Sequence, residues 1–242
     1  VLAQLLGSEN PSQSEHGFAG TNAANIVRSA IFGFNVGLVS NLILVAGVAG
    51  ASIGGDTVLI AGISGLLAGS FSMGAGEYIS VRSQSEFVDN LLSKERMELE
   101  LDPEEEYKEL VTIYRKKGIS ESAAKTLVDE LVLDPERALD TLVREELGID
   151  PSESVSPWSA AIGSFVAFSF GAVVPVLPFI FSGGYLALLL AITVGCFILF
   201  TVGAFTSVVT GRNPLYSGGR MLAISLIATG VAFGVGLALP LE

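Results

Sequence analysis

Long uncharged, mostly apolar runs alternate with a single polar stretch, and the run lengths predict the architecture. Ile31 to Ile53 is free of charge for 23 residues. At about 1.5 Å of rise per residue, that crosses a hydrocarbon core of about 30 Å. The GASIGGDT segment supplies a Gly-rich turn, and Thr57 to Gly76 adds 20 uncharged residues before Glu77 and Arg82. Ser154 to Gly211 carries no charge over 58 residues, more than twice the length of about 20 that one spanning helix needs, and Ser182-Gly183-Gly184 divides it into spans three and four. Met221 to Leu241 is a fifth span, preceded by a polar loop, GRNPLYSGGR. Pro175 and Pro178 predict a kink in span three that frees backbone carbonyls. Trp158, Tyr78, Tyr185 and Tyr216 fall near span ends, where amphipathic rings favour the headgroup level.

The polar stretch carries helix punctuation. Glu86 to Leu101 continues from span two, and Asp102-Pro103 restarts the chain as N-cap and first helical residue, with Glu105 at capping-box spacing. Gly118 ends that helix, Ser120 caps a third running to about Leu133, and Asp134-Pro135 starts a fourth that stops at Gly148. The expected fold class is therefore all-α. It comprises a polar tail over 1–25, spans one and two over 26–85, an acidic helical unit over 86–153, and spans three to five over 154–242.

Composition reinforces the membrane reading: half of the 242 residues are hydrophobic and 16% are charged, with a mean hydropathy of +0.60. Between Glu86 and Glu153 lie 20 of the 25 carboxylates and 9 of the 13 Lys and Arg, so this segment carries nearly all of the net charge of −12. Such an acidic balance argues against nucleic acid as a partner and for cations. One cysteine, Cys196, excludes a disulfide framework, and one histidine, His16 in the tail, excludes multi-imidazole metal sites and Cys–His or Ser–His catalytic pairs. No cofactor loop is visible, so an enzyme is not expected. Residues 1–25 lack the basic and apolar regions of a signal peptide, and without an initiator Met the chain reads as a fragment. The basic residues also set the expected topology. Arg28, Arg82, the nine of the acidic segment, Arg212 and Arg220 all fall on one side of five spans, which the positive-inside rule makes cytosolic. The N-terminus and acidic unit are then cytosolic and the C-terminus lies opposite.

Two groups of residues are candidates for chemistry. Glu95/Glu98 and Glu106/Glu109 are i,i+3 pairs, each on one helix face, and an antiparallel turn at Asp102-Pro103 would bring the pairs together, with Glu145 and Glu146 able to close the site. All-carboxylate sets suit hard or borderline divalent ions, including Fe²⁺ on facing helices. The same glutamates could instead form a solvated face, paired at i,i+4 with Lys108, Lys116 and Lys125. In span two, Glu77 stands four residues after Met73, on the same face and near Ser72; an intramembrane carboxylate marks function more often than packing, although this one is close to the span end and to Arg82. Asn35 and Asn41 in span one could hydrogen-bond across helices or line a path. Gly33/Gly37, Gly50/Gly54, Gly65/Gly69 and Gly230/Gly234 allow close helix packing, within one chain or at a dimer seam.

The runs FGFNVGLVSNLILVAGVAGA, GLLAGSFSMGAGEYISVRSQSE and KERMELELDPEEEYKEL resemble the vacuolar iron transporter family over about Ile31 to Glu242. The resemblance implies a dimeric exporter that moves Fe²⁺, and also Mn²⁺, out of the cytosol in exchange for protons, with the ion as substrate and no prosthetic group. It assigns metal binding to Glu95, Glu98, Glu106, Glu109 and Glu146 in the cytosolic unit, and to Met73, Glu77 and Asn35 along the membrane path. The resemblance is to prokaryotic members too, which favours a prokaryotic cell membrane over a vacuolar one. Where the family reads N-D-G-L-V, this chain has Asn35-Val36-Gly37-Leu38-Val39, so Val36 replaces a carboxylate expected on the path. The alternative it raises is a membrane-anchored iron-binding or sensing protein with impaired transport.

Overall fold

Among the described residues of the computed structural model, which are 22–51, 54–150 and 155–239, every regular element is a helix. In order they are α1 (Asn22–Ala51), α2 (Gly55–Leu101), α3 (Pro103–Lys116), α4 (Glu121–Leu131), α5 (Pro135–Glu145), α6 (Pro157–Val173), α7 (Leu177–Phe181), α8 (Gly184–Thr210) and α9 (Pro214–Ala238). The start of the tail with His16, Ser52-Ile53 of the Gly-rich turn, residues 151–154 and the last three residues lie outside the described set.

The chain forms two units, one of residues 1–78 and 157–242, the other of residues 79–156. α2 contributes to both. In the first unit, α1, α2, α8 and α9 are long and apolar enough to cross a membrane. α6 is apolar but has 17 residues. Pro175 explains its early end: the ring removes a backbone donor, the residue before proline avoids the helical region, and the chain passes through a turn before α7. The predicted kink is thus a full interruption. The loop expected before the last span is also mostly helical, because Asn213 caps α9 by accepting from the Leu215 amide at 2.9 Å, with Pro214 in the first turn. At the other end, α1 begins at Asn22, inside the stretch predicted as tail.

Burial in this unit is inverted relative to a protein in water. Phe32, Ile60, Phe71, Phe170, Phe197 and Ile227 are exposed, while Asn41, Ser70, Ser164, Ser207, Ser225 and Thr229 are buried. An apolar exterior around polar groups is stable against lipid and unstable against water. Glycine lets α1 lie directly on two neighbours. A Cβ at Gly37 would stand 2.2 Å from the Phe168 carbonyl oxygen of α6, and one at Gly50 2.4 Å from the Phe233 carbonyl oxygen of α9. Of the four glycine pairs, Gly230/Gly234 meets nothing within 4 Å.

The second unit follows its punctuation closely. Asp102 caps α3 by accepting from the Glu105 amide, Ser120 caps α4 through Ala123, and Asp134 caps α5 through Glu136 and Arg137. Gly118 and Gly148 take positive φ, +92° and +66°, where a side chain would be strained. α4 ends at Leu131, two residues before the predicted Leu133. Leu110, Val111, Ala124, Val128 and Leu142 form the core, with Leu99 of α2 packed against it. That core ties the end of α2 to α3, α4 and α5.

Candidate functional site

Two groups of candidate ligands occupy the two units. In the first unit a cleft of about 410 Å³ is lined by Val36 and Ser40 of α1, Gly69, Ser72, Met73, Gly76 and Glu77 of α2, and Phe168 of α6. The linings follow from helical repeat: 36 and 40 are one turn apart on α1, as are 69, 73 and 77 on α2. The volume far exceeds the ~30 Å³ that one water takes in the liquid, so a hydrated divalent ion fits. Glu77 offers a charged oxygen, Met73 a soft thioether, and Ser40 and Ser72 hydroxyls; this mixed set suits a borderline ion such as Fe²⁺ or Mn²⁺. Both Met73 and Glu77 are half-buried.

Asn35 is not among the lining residues. Its neighbour Val36 takes that place and brings no donor atom. Asn35 Oδ1 is buried without a hydrogen-bond partner elsewhere on α1. Asn41 is structural in part: its Nδ2 donates to the Gly62 carbonyl of α2 at 3.1 Å and to the Ala172 carbonyl of α6 at 2.7 Å. Ala172 is near the C-terminus of α6, where the Val176 amide bonds to Val173 instead, so the Asn41 amide satisfies a carbonyl that the Pro175 break leaves over. Ser40 and Phe168 were missed by the sequence reading. For Ser40, the i,i+4 relation to Val36 was an available signal; for Phe168, on another helix, there was none.

In the second unit, Glu95 and Glu106 are buried, each 6% exposed, while Glu98, Glu109 and Glu146 are exposed. Removal from water raises the Glu95 carboxyl to about 7, and the negative charges of Glu146, Glu106, Glu98 and Glu109 add to the rise. Glu106 is raised by burial and then by Glu109, Glu146, Glu98 and Asp102, and Glu146 by burial and then by Glu109 and Glu98. The five glutamates therefore share one electrostatic field. They do not close into a tight ligand cage: among the described residues no three Asp, Glu, His or Cys groups are arranged to hold an ion. Mutual repulsion keeps such carboxylates apart. Glu106 Oε2 is buried with no hydrogen-bond partner.

Among the described residues, the ion pairs around the cluster involve other carboxylates. Arg96 pairs with Glu136 at 3.0 Å, Arg115 and Lys125 with Glu121, and Lys117 with Glu145. Of the two glutamates open to closing the site in sequence, Glu145 pairs with Lys117 and Glu146 acts on Glu95. The predicted solvated-face pairing is met by Lys125 and Glu121 at 2.9 Å, outside the cluster.

The profile of the VIT family matches residues 27–237. The chain is 33% identical over 229 residues to the vacuolar iron transporter of Toxoplasma gondii, covering 90% of this chain and 76% of that protein. It is 31% identical over 212 residues to vacuolar iron transporter 1 of Arabidopsis thaliana, covering 87% and 85%. To the vacuolar iron transporter of Acanthamoeba castellanii it is 32% identical over 237 residues, covering 98% and 87%.

Proposed function

The chain belongs to the VIT family, and on that premise we propose that it is a transporter carrying Fe²⁺, and Mn²⁺ with it, out of the cytosol in exchange for protons. The observation that carries the proposal is the cleft where Met73 and Glu77 of α2 face α1 and α6 inside an apolar-surfaced helical unit. An uncompensated carboxylate beside a thioether is costly among apolar helices unless it serves a passing cation or proton. The relatives' name, vacuolar iron transporter, supports iron as cargo.

In this reading α6 and α7 together make a broken third span, giving five. The basic residues keep the N-terminus and the acidic unit on the cytosolic side and place the C-terminus opposite. Glu95, Glu98, Glu106, Glu109 and Glu146 collect ions from the cytosol, the buried pair giving up protons as it does so. Glu77 takes a proton in return after the ion leaves. The transporter works as a homodimer in a prokaryotic cell membrane, holds no prosthetic group and performs no chemical conversion.

Val36 favours a second reading, a membrane-anchored metal-binding protein with impaired transport, because it places a methyl-bearing side chain on the cleft wall where the family pattern has a carboxylate. Purified protein in liposomes, with an internal indicator for Fe²⁺ or Mn²⁺ and with or without a pH gradient, tests both readings beside Val36→Asp. Gradient-dependent flux in the unaltered chain supports transport without the first-span carboxylate. Flux only in Val36→Asp supports the second reading, and no flux in either removes both the path and its repair.

A further inference from the structure

Along α2, Glu77, Met73, Gly69 and Gly65 follow one another at intervals of four residues, about 6 Å and about 40° of turn per step, so the row winds round the helix away from the cleft. The first two offer ligand atoms to the cleft. At the third step the ring of Phe168 is seated on the glycine, so closely that a Cβ at Gly69 would stand 2.2 Å from the ring's Cζ and 2.4 Å from Cε1. Phe168 is 5% exposed and lines the cleft's edge. Its backbone is held by Gly37 of α1, where a Cβ would stand 2.2 Å from the Phe168 carbonyl oxygen. That close packing restrains the backbone, and the side chain's own torsions are the freer degrees of motion.

At the fourth step a Cβ at Gly65 would meet Leu44 Cδ2 of α1 first, at 2.3 Å, and beside it the amide oxygen of Asn41. Both hydrogen bonds of Asn41 run from Nδ2 to carbonyl oxygens, which fixes the amide's orientation and turns Oδ1 the other way. That oxygen faces Gly65, 2.7 Å from where a Cβ would be, is buried and accepts no hydrogen bond. Asn41 as a residue is 2% exposed. A buried amide oxygen without a donor is destabilising, and binding a cation would remove that cost.

Resting on the transport reading above, we propose that the Phe168 ring is the gate of the ion path, separating the Met73–Glu77 cleft from a second ligand position at Asn41 Oδ1. With the ring on Gly69 the cleft ends at that glycine. With the ring swung off, the hydrogen-only surface of Gly69 leaves room for an ion to step from the thioether to the amide oxygen. Phe168 is a positioning residue here: it offers the ion no oxygen and controls only whether the next one is reachable.

The experiment reads water access separately from transport. In full-length protein reconstituted in liposomes, with Cys196→Ser removing the native thiol, Asn41→Cys is labelled by a small water-soluble methanethiosulfonate reagent with and without Phe168→Ala. Labelling is expected to be slow with phenylalanine and at least tenfold faster with alanine. Equal rates, or fast labelling with Phe168 in place, overturn the gate. In parallel, Mn²⁺ flux through Phe168→Ala alone, with Asn41 intact, is expected to rise at least tenfold and to lose its dependence on the pH gradient; flux unchanged from the native chain also overturns it. Should the unaltered chain, Val36→Asp and Phe168→Ala all be silent, the transport reading fails, and the labelling result still decides whether Phe168 closes the cleft.

Discussion

Replacing Glu95 with glutamine should flatten the pH dependence of metal binding by the acidic unit. Glu95 is buried among four other glutamates and its carboxyl is held at about 7. A metal ion needs the carboxylate, so binding must displace the proton wherever the group is still protonated. For one such proton the apparent dissociation constant is multiplied by about 1 + 10^(7 − pH). The factor is close to 1 at pH 8, roughly 10 at pH 6 and roughly 100 at pH 5. Glu106 and Glu146, also raised, steepen the dependence on the acid side. Titration of the full chain in detergent with Mn²⁺, by calorimetry in two buffers of different ionisation enthalpy, gives both the affinity and the protons released. The native chain should lose about tenfold in affinity from pH 8 to 6 while releasing close to one proton near pH 6. Glu95→Gln should bind more weakly at pH 8, by the loss of one ligand, and lose less on acidification. A native affinity that is flat from pH 8 to 5.5, or a glutamine variant with the native slope and proton release, would refute the reasoning.

The same carboxyl makes a prediction for the metal-free protein. Because its native value lies above the ordinary 4.5, the folded chain binds more protons than the unfolded one between about 4.5 and 7. Stability therefore falls as pH rises through that window and levels off above it. Glu95→Gln should be more stable than the native chain at pH 8 by up to about 3 kcal/mol, with no gain at pH 4, as read from denaturant unfolding in detergent with a chelator present; a gain at acid pH instead would contradict the sign. Gly37→Ala should cost about 1–3 kcal/mol, since its methyl meets a backbone oxygen that cannot rotate away, and should lower the Tm in detergent by several degrees. Gly76→Ala, which meets nothing within 4 Å, should leave the Tm in place. Asn41→Leu should cost about 1–3 kcal/mol by leaving the Ala172 carbonyl without its donor, a loss measurable in the same melts.

The local punctuation of this chain was readable from sequence because it acts over a few residues. Asp102-Pro103, Ser120 and Asp134-Pro135 start helices through bonds to amides two or three residues ahead, and Gly118 and Gly148 supply backbone angles that other residues resist. The apolar runs likewise announced membrane helices by their length alone. Where a local signal was misweighed, the boundary moved: Pro175 ends α6 outright, and Asn213-Pro214 opens α9 seven residues before the predicted start at Met221.

Packing decided what the pattern left open. Spacing treats Glu95, Glu98, Glu106 and Glu109 as equals, yet Glu95 and Glu106 are the ones turned from water. Asn35 and Asn41 are equally polar letters in one span, but the end of a different helix, 131 residues away in sequence, turns Asn41 into a clamp. Val36 rather than Asn35 reaches the cleft, and Phe168 reaches it from α6. Helix formation depends on neighbours within a turn or two, so the order of residues determines it. Burial, field and access depend on which helix faces arrive together, and that follows only from how glycine-bared backbones of distant segments fit against one another.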